Sequence, residues 1–329
     1  MTSYLFYPGC SMETSAKAYY ESLIAVKKTL GLDLVEIDDW NCCGATEYLG
    51  INLIPAYALI SRNLALATQQ ANGSRTVVAP CSACYLNLAK ADHYMLERPE
   101  LGEKVNLALQ AGNLFYKPGS LEIRHLLDIL INDVGLEEIK SKVKKPLRGI
   151  KVAPYLGCMV PRPDYKKRWS DHEHPDELDR LLSALGAEAI DFPLKTHCCG
   201  GHMPQISPST AFELIRRLLH GADLYEADLL VTVCPMCQMN LDAFQAETNR
   251  YFHTNYKIPI IFFTQLMGLA FGEDPKELGF GRELVSTEFA LSRIGLEIPE
   301  PDGSKVQPKR AKKTGLPMPT MPADEEAHK

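Results

Sequence analysis

The sequence predicts an α/β protein made of two similar halves, each with a short, mostly parallel sheet and flanking helices. Two observations predict this fold. Apolar stretches of strand length alternate with amphipathic stretches of helix length, which is typical of parallel α/β units. The same order of strands, helices and cysteines then occurs again roughly half a chain further on. The length of 329 residues is also enough for about two domains.

The first half contains three predicted strands that alternate with helices. A short apolar strand ends just before the first cysteine, and the amphipathic helix after it stops at Gly31. A second strand leads into a Cys-Cys pair, and the next helix has a proline in its first turn, where proline is tolerated. A third strand precedes a Cys-x2-Cys motif at the start of another helix. The predicted strands are residues 4–7, 34–37 and 76–79, and the bounded helices are residues 19–30 and 55–70.

The second half repeats this order. Its predicted strands are residues 151–155, 188–192 and 229–233, and its predicted helices are residues 177–185, 210–224 and 237–248. Residues 258–271 predict one more buried strand and helix. This stretch is too short, and too interrupted by Pro259 and Gln265, to span a membrane.

The ten cysteines fall into two sets with nearly the same spacing. The spacings are C-x31-C-C-x37-C-x2-C and C-x39-C-C-x34-C-x2-C, and equivalent cysteines are 148, 156 and 153 residues apart. In both sets a glycine precedes the first cysteine and another follows the Cys-Cys pair. The first set is Cys10, Cys42, Cys43, Cys81 and Cys84, and the second is Cys158, Cys198, Cys199, Cys234 and Cys237.

Every cysteine group follows the end of a predicted strand. The carboxyl ends of parallel strands open on one crevice, where ligands of such folds bind. We therefore expect the five thiols of each half to converge on one place.

The repeat also predicts domain boundaries. We expect a first cysteine-rich domain at residues 1–134 and a second at residues 150–298. The basic segment 135–149 is interpreted as a solvated linker. Residues 299–329, rich in proline, lysine and small polar residues, predict a disordered tail.

Composition limits the function. The net charge of −6 and a pI near 5.9 argue against nucleic acid as a partner, because phosphate binding needs a basic surface. The N-terminus does not resemble a secretory signal, and no stretch is long and apolar enough for a transmembrane segment. We therefore expect a cytoplasmic protein, in which ten cysteines favour metal or redox chemistry over disulfides.

Five thiols in each set favour a multi-iron cluster. Structural zinc takes four ligands, and a dithiol enzyme of the thioredoxin kind needs two cysteines. Soft thiolates select iron–sulfur clusters, copper(I) or zinc, and a cluster with several irons accommodates the fifth ligand. The Cys-x2-Cys motifs sit at predicted helix N-termini, whose partial positive charge favours an anionic cluster. Zinc remains the weaker alternative.

The two cysteine patterns resemble the CCG-type domains found in the B subunit of heterodisulfide reductases. Each copy consists of a single cysteine, a Cys-Cys-Gly motif and a Cys-x2-Cys motif, and the resemblance covers residues 1–280 approximately. It implies two pseudo-symmetric CCG-type α/β domains that face each other. It also implies two non-cubane [4Fe-4S] clusters, one held by the five cysteines of each set.

The resemblance implies a catalytic iron–sulfur subunit of a heterodisulfide reductase-like complex. Such a subunit would cleave, or form, a disulfide such as coenzyme M–coenzyme B or a related sulfur substrate, in a slot between the halves. The sequence has no ordinary ferredoxin cluster run, no G-x-G-x-x-G after a predicted strand and no P-loop. It therefore predicts dependence on partners, which in this family are a ferredoxin-like [4Fe-4S] protein, the C subunit, and a flavin-containing protein, the A subunit.

Two other functions fit the same motifs. One is an electron-transfer or anchor subunit of a succinate dehydrogenase or fumarate reductase-like complex that reduces quinone. The other is an iron–sulfur subunit of lactate or glycolate oxidation, whose glycolate type usually carries ferredoxin motifs that are missing here.

His197 and His202 flank the second Cys-Cys pair and are candidate catalytic proton carriers, because histidine titrates near neutral pH. The alternative is that each ring only hydrogen-bonds a cluster sulfur or the backbone.

Overall fold

The computed structural model describes residues 3–45, 48–71 and 73–296. The predicted tail at residues 299–329 lies outside the described residues, as do the last two residues of the predicted second domain. In the described part of the chain, no helix is both long and apolar enough to cross a lipid bilayer.

Each half contains a four-stranded sheet in which all pairings are parallel. The strand order is β2-β1-β3-β4 in the first sheet and β6-β5-β7-β8 in the second, so the two halves share one topology. This confirms the predicted α/β fold with two pseudo-symmetric halves. The strands are β1 (Ser3–Phe6), β2 (Asp33–Glu36), β3 (Thr76–Ala79), β4 (Glu122–His125), β5 (Lys151–Tyr155), β6 (Glu188–Ala189), β7 (Leu229–Thr232) and β8 (Ile260–Phe262).

Helices cover the sheets and bury the central strands. β7 is buried at all four positions, whereas edge strand β2 buries only Leu34. A parallel sheet covered on both faces explains the apolar runs in its central strands. The helices are α1 (Cys10–Glu13), α2 (Lys17–Leu30), α3 (Tyr48–Ile51), α4 (Leu53–Gln69), α5 (Ser82–Glu97), α6 (Pro99–Leu109), α7 (Leu126–Ile129), α8 (Leu136–Ser141), α9 (Glu177–Ala184), α10 (Met203–Ile206), α11 (Pro208–Leu224), α12 (Pro235–Ala243), α13 (Gln245–Phe252), α14 (Phe263–Phe271) and α15 (Glu288–Ser292). Short 3-10 and π turns occupy Gln110–Gly112 and Leu130–Val134.

The structure differs from the sequence prediction in several places, of which three bear on the packing of the halves. β4 was not predicted, because three of its four residues are polar. The helix predicted at 237–248 is divided at Phe244 into α12 and α13. The segment 135–149, interpreted as a solvated linker, contains α8 and buries Ile139 and Leu147.

The two halves pack into one compact unit that extends to Leu296. α2 of the first half lies against the end of β8 and α14 of the second. The rings of Tyr19 and Phe262 stack with centroids 4.4 Å apart, and the buried hydroxyls of Ser22 and Thr264 are 2.6 Å apart. The Tyr19 hydroxyl also lies 3.1 Å from the Pro80 carbonyl oxygen and 3.4 Å from that of Val233, one in each half. These contacts fix the ends of β3 and β7 relative to each other.

A buried charge network also joins the halves. Arg124 on β4 donates two hydrogen bonds to the carboxylate of Asp128, at 2.8 and 2.9 Å. Arg168, from the second half, contributes a second guanidinium 3.6 Å from Asp128. The Asp128 side chain is 1% exposed, so it depends on these partners for its charged form. The network explains how a strand as polar as β4 can be buried.

We predict that Asp128→Asn will lower the free energy of unfolding by about 3 kcal/mol, because it leaves a buried guanidinium without its main counter-charge. Burial alone would raise the pKa of Asp128, but hydrogen bonds from Arg124 and Asn132 lower it below its ordinary value. The stabilisation is therefore complete above the pKa of the unfolded chain and is lost as the pH falls through the lower folded-state value. Urea unfolding of wild type and variant between pH 3 and pH 7 measures this difference.

The control is Asp33→Asn on β2, at an exposed position, which we expect to change stability by less than about 0.5 kcal/mol. If Asp128→Asn costs no more than this control, the network does not stabilise the fold.

Candidate metal centre

The five cysteines of the first half lie at the carboxyl ends of three neighbouring strands. Cys10 begins α1 just after β1, and Cys81 caps α5 just after β3. β1 and β3 are adjacent in the sheet, at the point where the chain connections diverge, and this is the place where such sheets bind ligands. The Cys42–Cys43 pair comes from the loop after β2. The sequence order thus brings all five thiols to one edge of the sheet.

The second half repeats this arrangement around β5, β6 and β7. Cys158 follows β5, and the Cys198–Cys199 pair lies in the loop between β6 and α10. Cys234 caps α12, whose first residue is Pro235. As predicted, the second cysteine of each Cys-x2-Cys motif lies in the first turn of a helix.

Within each half the thiols form a chain of neighbouring pairs. In the first half Cys10 Sγ lies 3.6 Å from Cys42 Sγ, and Cys43 Sγ lies 3.4 Å from Cys84 Sγ. In the second half, Cys199 Sγ and Cys237 Sγ are also 3.4 Å apart. Among the described residues, no three His, Cys, Asp or Glu side chains are grouped as ligands of a single metal ion. The Sγ–Sγ contacts join the thiols of each half in pairs.

The two sets of thiols meet in the middle of the molecule. Cys81 and Cys234, one from each half, are close enough to change the pKa of each other. Both are nearly inaccessible, at 6% and 2% exposure. Cys10, Cys42 and Cys198 are exposed instead. Each set therefore extends from the buried contact between the halves to the surface. The predicted entry of a disulfide between the halves stays a prediction.

The glycine before the first cysteine of each set is required by its surroundings. Gly9 has φ of +77°, and an added Cβ would lie 2.9 Å from the sulfur of Cys84. Gly157 has φ of +72°, and its Cβ would lie 3.2 Å from the sulfur of Cys237. A side chain at either position would therefore occupy the space between the first and last cysteines of the set, in a backbone conformation that disfavours it.

A buried tyrosine supports the Cys-Cys loop in each half. The hydroxyl of Tyr7 donates to the carbonyl oxygen of Asn41, just before the first pair, at 2.7 Å. The hydroxyl of Tyr155 donates to the carbonyl oxygen of His197, just before the second pair, also at 2.7 Å. Both tyrosines are 0% exposed. The Tyr-x-Gly-Cys motif therefore supplies both the first cysteine and the support for the next two.

Hydrogen bonding gives the first cysteine of each pair the character of a thiolate. The bond with Cys10, and then that with Cys43, lowers the pKa of Cys42 far below that of an ordinary thiol. The bond with Cys158 lowers the pKa of Cys198 to about 6. Backbone N–H groups of the following glycines contribute, with N···S distances of 3.4 Å at Gly44 and 3.3 Å at Gly200. Thiolate is the form that binds metals.

One pair of polar residues near the thiols was missed from the sequence. Asn87 lies on α5 and Asn240 on α12, each three residues after the last cysteine of its set. Their amide groups reach back to the Cys-Cys loop and hydrogen-bond its carbonyl oxygens. The sequence does contain a signal for these asparagines, a C-x2-C-x2-N pattern that occurs in both halves. It was missed because the motif was defined by its cysteines alone.

Two buried donors beside Cys234 were also missed. The hydroxyl of Ser82 and Nε2 of His125 are both buried without a well-formed hydrogen bond. The Ser82 hydroxyl contributes to the lowered pKa of Cys234. Burial lowers the pKa of His125 to about 4, and the charge of Cys234 partly opposes this shift. Nδ1 of His125 accepts a hydrogen bond from the Leu127 amide, so Nε2 carries the proton of the neutral ring.

These features fit an anionic, sulfur-rich metal group. The donor set consists of soft thiolates, two cysteine motifs begin helices α5 and α12, and buried donors next to Cys234 lack full partners. Five thiols around each site exceed the four ligands of a structural zinc. The residues present therefore match a multi-iron cluster in each half.

The two predicted proton carriers lie beside the second Cys-Cys pair. His197 is exposed, and partial burial together with the cations of Arg162 and Arg217 lowers its pKa. His202 lies just before α10 and also has an interaction partner. Their catalytic role stays a prediction.

Comparison with known proteins gives a family match in each half. Residues 4–89 and 152–242 match the family described as CCG, cysteine-rich domain. The 8-methylmenaquinol:fumarate reductase membrane anchor subunit of Wolinella succinogenes is 34% identical, over 86% of this chain and 96% of that protein. A heterodisulfide reductase B-subunit-like protein of Archaeoglobus profundus is 31% identical, over 84% of this chain and 93% of that protein. The B subunit of the ferredoxin/F(420)H(2)-dependent CoB-CoM heterodisulfide reductase of Methanosarcina acetivorans is 29% identical, over 89% of this chain and 97% of that protein.

A solved structure shares the fold. The crystal structure of a hypothetical protein from Helicobacter pylori has a TM-score of 0.67 and 17% sequence identity, over 87% of this chain. This chain spans 52% of that one, about half of its length. The family match covers both cysteine sets, and the curated relatives are similar over almost their whole lengths. This chain therefore belongs to the family of two-domain CCG cysteine-rich proteins that includes the B subunit of heterodisulfide reductases.

Proposed function

We propose that this chain is the catalytic iron–sulfur subunit of a heterodisulfide reductase-like complex. The first cluster, a non-cubane [4Fe-4S] centre, is held by Cys10, Cys42, Cys43, Cys81 and Cys84. The second, of the same type, is held by Cys158, Cys198, Cys199, Cys234 and Cys237. The observation that carries this proposal is the pair of complete cysteine sets. Their inner members, Cys81 and Cys234, follow the two residues whose carbonyl oxygens lie 3.1 and 3.4 Å from the Tyr19 hydroxyl.

The proposed reaction needs two electrons at one place. Reduction of a disulfide, R–S–S–R′, consumes two electrons and two protons and releases RSH and R′SH, and the oxidative direction reverses this balance. The two cysteine sets would each hold a cluster, and the bound clusters would supply the two electrons. The protein excludes water from the inner thiols, since Cys81, Cys84, Cys234 and Cys237 are at most 7% exposed.

Protons reach the substrate sulfurs through side chains of the second Cys-Cys loop. His197 and His202 flank this loop, and each carries an imidazole nitrogen that can hold and release a proton. His197 is exposed, so its ring can exchange protons with solvent.

Electrons come from partner proteins in this proposal. Heterodisulfide reductase relatives support a multisubunit complex, and the proposed partners are the ferredoxin-like [4Fe-4S] C subunit and the flavin-containing A subunit of such a complex. Cys10 and Cys198 are exposed, so each set is accessible from the surface on which an electron carrier would dock.

A second candidate is an electron-transfer or anchor subunit of a fumarate reductase or succinate dehydrogenase-like complex. The 34% identity to the Wolinella succinogenes anchor subunit favours it. Both candidates use the same cysteine sets, and they differ in the substrate that exchanges electrons with the clusters. The first needs a disulfide at the clusters, whereas the second needs a quinone and a dicarboxylate-linked flavoprotein.

The central prediction concerns metal content and substrate. Protein purified without oxygen should contain about eight irons per chain, and reduced viologen should be oxidised when a heterodisulfide such as coenzyme M–coenzyme B is added. Viologen replaces the partner proteins, so the chain can be assayed alone. Zinc in place of iron would contradict the proposal. Turnover only with a menaquinol analogue as electron donor, fumarate as acceptor and a fumarate-reducing flavoprotein would support the second candidate instead.

A glycine series tests whether each set holds its own cluster. Gly9→Ala should lose about half of the iron, because the new Cβ would press on the Cys84 sulfur at 2.9 Å. Gly157→Ala should lose less, because the corresponding distance to Cys237 is 3.2 Å. Gly135→Ala is the matched control, with φ of +84° and open space around the added Cβ. Equal iron content in all three variants would contradict the proposed sites.

The proton-carrier role is tested by His202→Asn. We expect turnover to fall about 100-fold, in line with the loss of a general acid–base group, while iron content stays unchanged. His253→Asn is the control, since His253 is exposed and has φ of +54°, a conformation that asparagine tolerates. Unchanged turnover in His202→Asn would remove this histidine from the mechanism.

A further inference from the structure

The amide of Asn87 connects the Cys-x2-Cys helix to the Cys-Cys loop of the first half. Its Nδ2 lies 2.6 Å from the carbonyl oxygen of Ala45 and 3.1 Å from that of Cys43. The same nitrogen lies 3.6 Å from the sulfur of Cys43. One N–H group therefore points to Ala45, and the other is shared by the carbonyl oxygen and the sulfur of Cys43.

Asn240 makes the same contacts in the second half. Its Nδ2 lies 2.5 Å from the carbonyl oxygen of Gly201 and 3.1 Å from that of Cys199. The sulfur of Cys199 is 4.0 Å away. The two halves thus repeat one polar contact at equivalent positions, which indicates that the contact serves the cysteine site and not the general core.

The surroundings make these contacts strong. Asn87 is 5% exposed and Asn240 is 1% exposed, so water does not compete for their N–H groups. A buried amide without partners would be costly, and both amides meet this need through the Cys-Cys loop. The loop has no regular secondary structure to hold it in the described residues before α3 and before α10. The amides therefore fix its position over the thiols.

We propose that Asn87 and Asn240 are positioning residues of the two clusters, each fixing the Cys-Cys-Gly loop and donating an N–H···S hydrogen bond to the inner cysteine of its pair. This inference rests on the proposed clusters. A hydrogen bond to a ligating sulfur withdraws negative charge from it, and such bonds raise the reduction potential of an iron–sulfur cluster. The contact at Asn87 is the shorter one, so the first cluster receives the larger effect.

The test is redox titration of the full chain, purified without oxygen and followed by electron paramagnetic resonance. Asn87→Asp keeps the shape of the side chain and removes its donors, and Asn240→Asp does the same in the other half. Asn87→Ala and Asn240→Ala remove the donors without adding charge. We expect Asn87 variants to move one midpoint potential to a more negative value, and Asn240 variants to move the other by a smaller amount.

Matched controls exist in both halves. Asn106 holds the backbone of Tyr116 through its side chain, with bonds of 2.9 and 3.0 Å. Asn249 holds the backbone of Tyr256 through two bonds of 2.8 Å. Neither side chain has a described bond to a cysteine. Asn106→Asp and Asn249→Asp should therefore leave both potentials unchanged, even where they lower the free energy of unfolding.

The outcomes separate this inference from the proposed function. Wild-type protein without iron would overturn the proposed clusters themselves. Wild-type protein with about eight irons, and Asn87 and Asn240 variants with unchanged iron and potentials, would overturn only the role of the two asparagines. Loss of iron confined to the half that carries the substitution supports the role. Equal loss from both halves, or a shift at least as large in Asn240→Ala as in Asn87→Ala, would contradict it.

Discussion

The structure depends on placing ten thiols in two small volumes. The thiols cannot all ionise there, because neighbouring thiolates repel one another. In the pairs Cys10–Cys42 and Cys158–Cys198 one thiol hydrogen-bonds to the other, so the pKa of the two members moves in opposite directions. The pKa is lowered at Cys42, Cys198 and Cys234, and it is raised at Cys10, Cys43, Cys81, Cys84, Cys158 and Cys237. A metal group bound there would resolve this conflict, since each thiolate would then have a positively charged partner. The same crowding would be destabilising in a protein that had no use for it.

The parallel sheets meet this constraint through their geometry. Strands β1 and β3 deliver Cys10 and Cys81 to adjacent strand ends, and β5 and β7 do the same for Cys158 and Cys234. Gly9 and Gly157 leave room for the sulfurs of Cys84 and Cys237, where any side chain would collide. Such local requirements explain why the motif includes residues that bind nothing themselves.

The interface between the halves determines the position of the two cysteine sets relative to each other. The Tyr19 hydroxyl bonds to the carbonyl oxygens of Pro80 and Val233, the residues just before Cys81 and Cys234. The stacking of Tyr19 on Phe262 and the charge network around Asp128 hold the same interface. In both proposed functions, the packing of α2 against α14 sets the distance between the two proposed clusters.

The sequence alone predicted the two-fold repeat, the α/β class and most strand positions. These features depend on local sequence, that is, on apolar periodicity and on motifs such as Cys-x2-Cys. They can therefore be predicted without knowledge of tertiary contacts. The tail at residues 299–329 remains a prediction, because it lies outside the described residues. The domain boundaries also remain predictions, because the two halves pack together as one compact unit.

Only the tertiary structure revealed β4 and the asparagines beside the thiols. Glu122, Arg124 and His125 make β4 too polar to be predicted as a strand, and the partners that allow its burial include Arg168, which lies far away in the sequence. The side chain of Asn87 finds its hydrogen-bond partner only when the Cys-Cys loop folds back onto α5. The pattern of one segment determines its own conformation, whereas the satisfaction of a buried polar group depends on what distant segments bring to it.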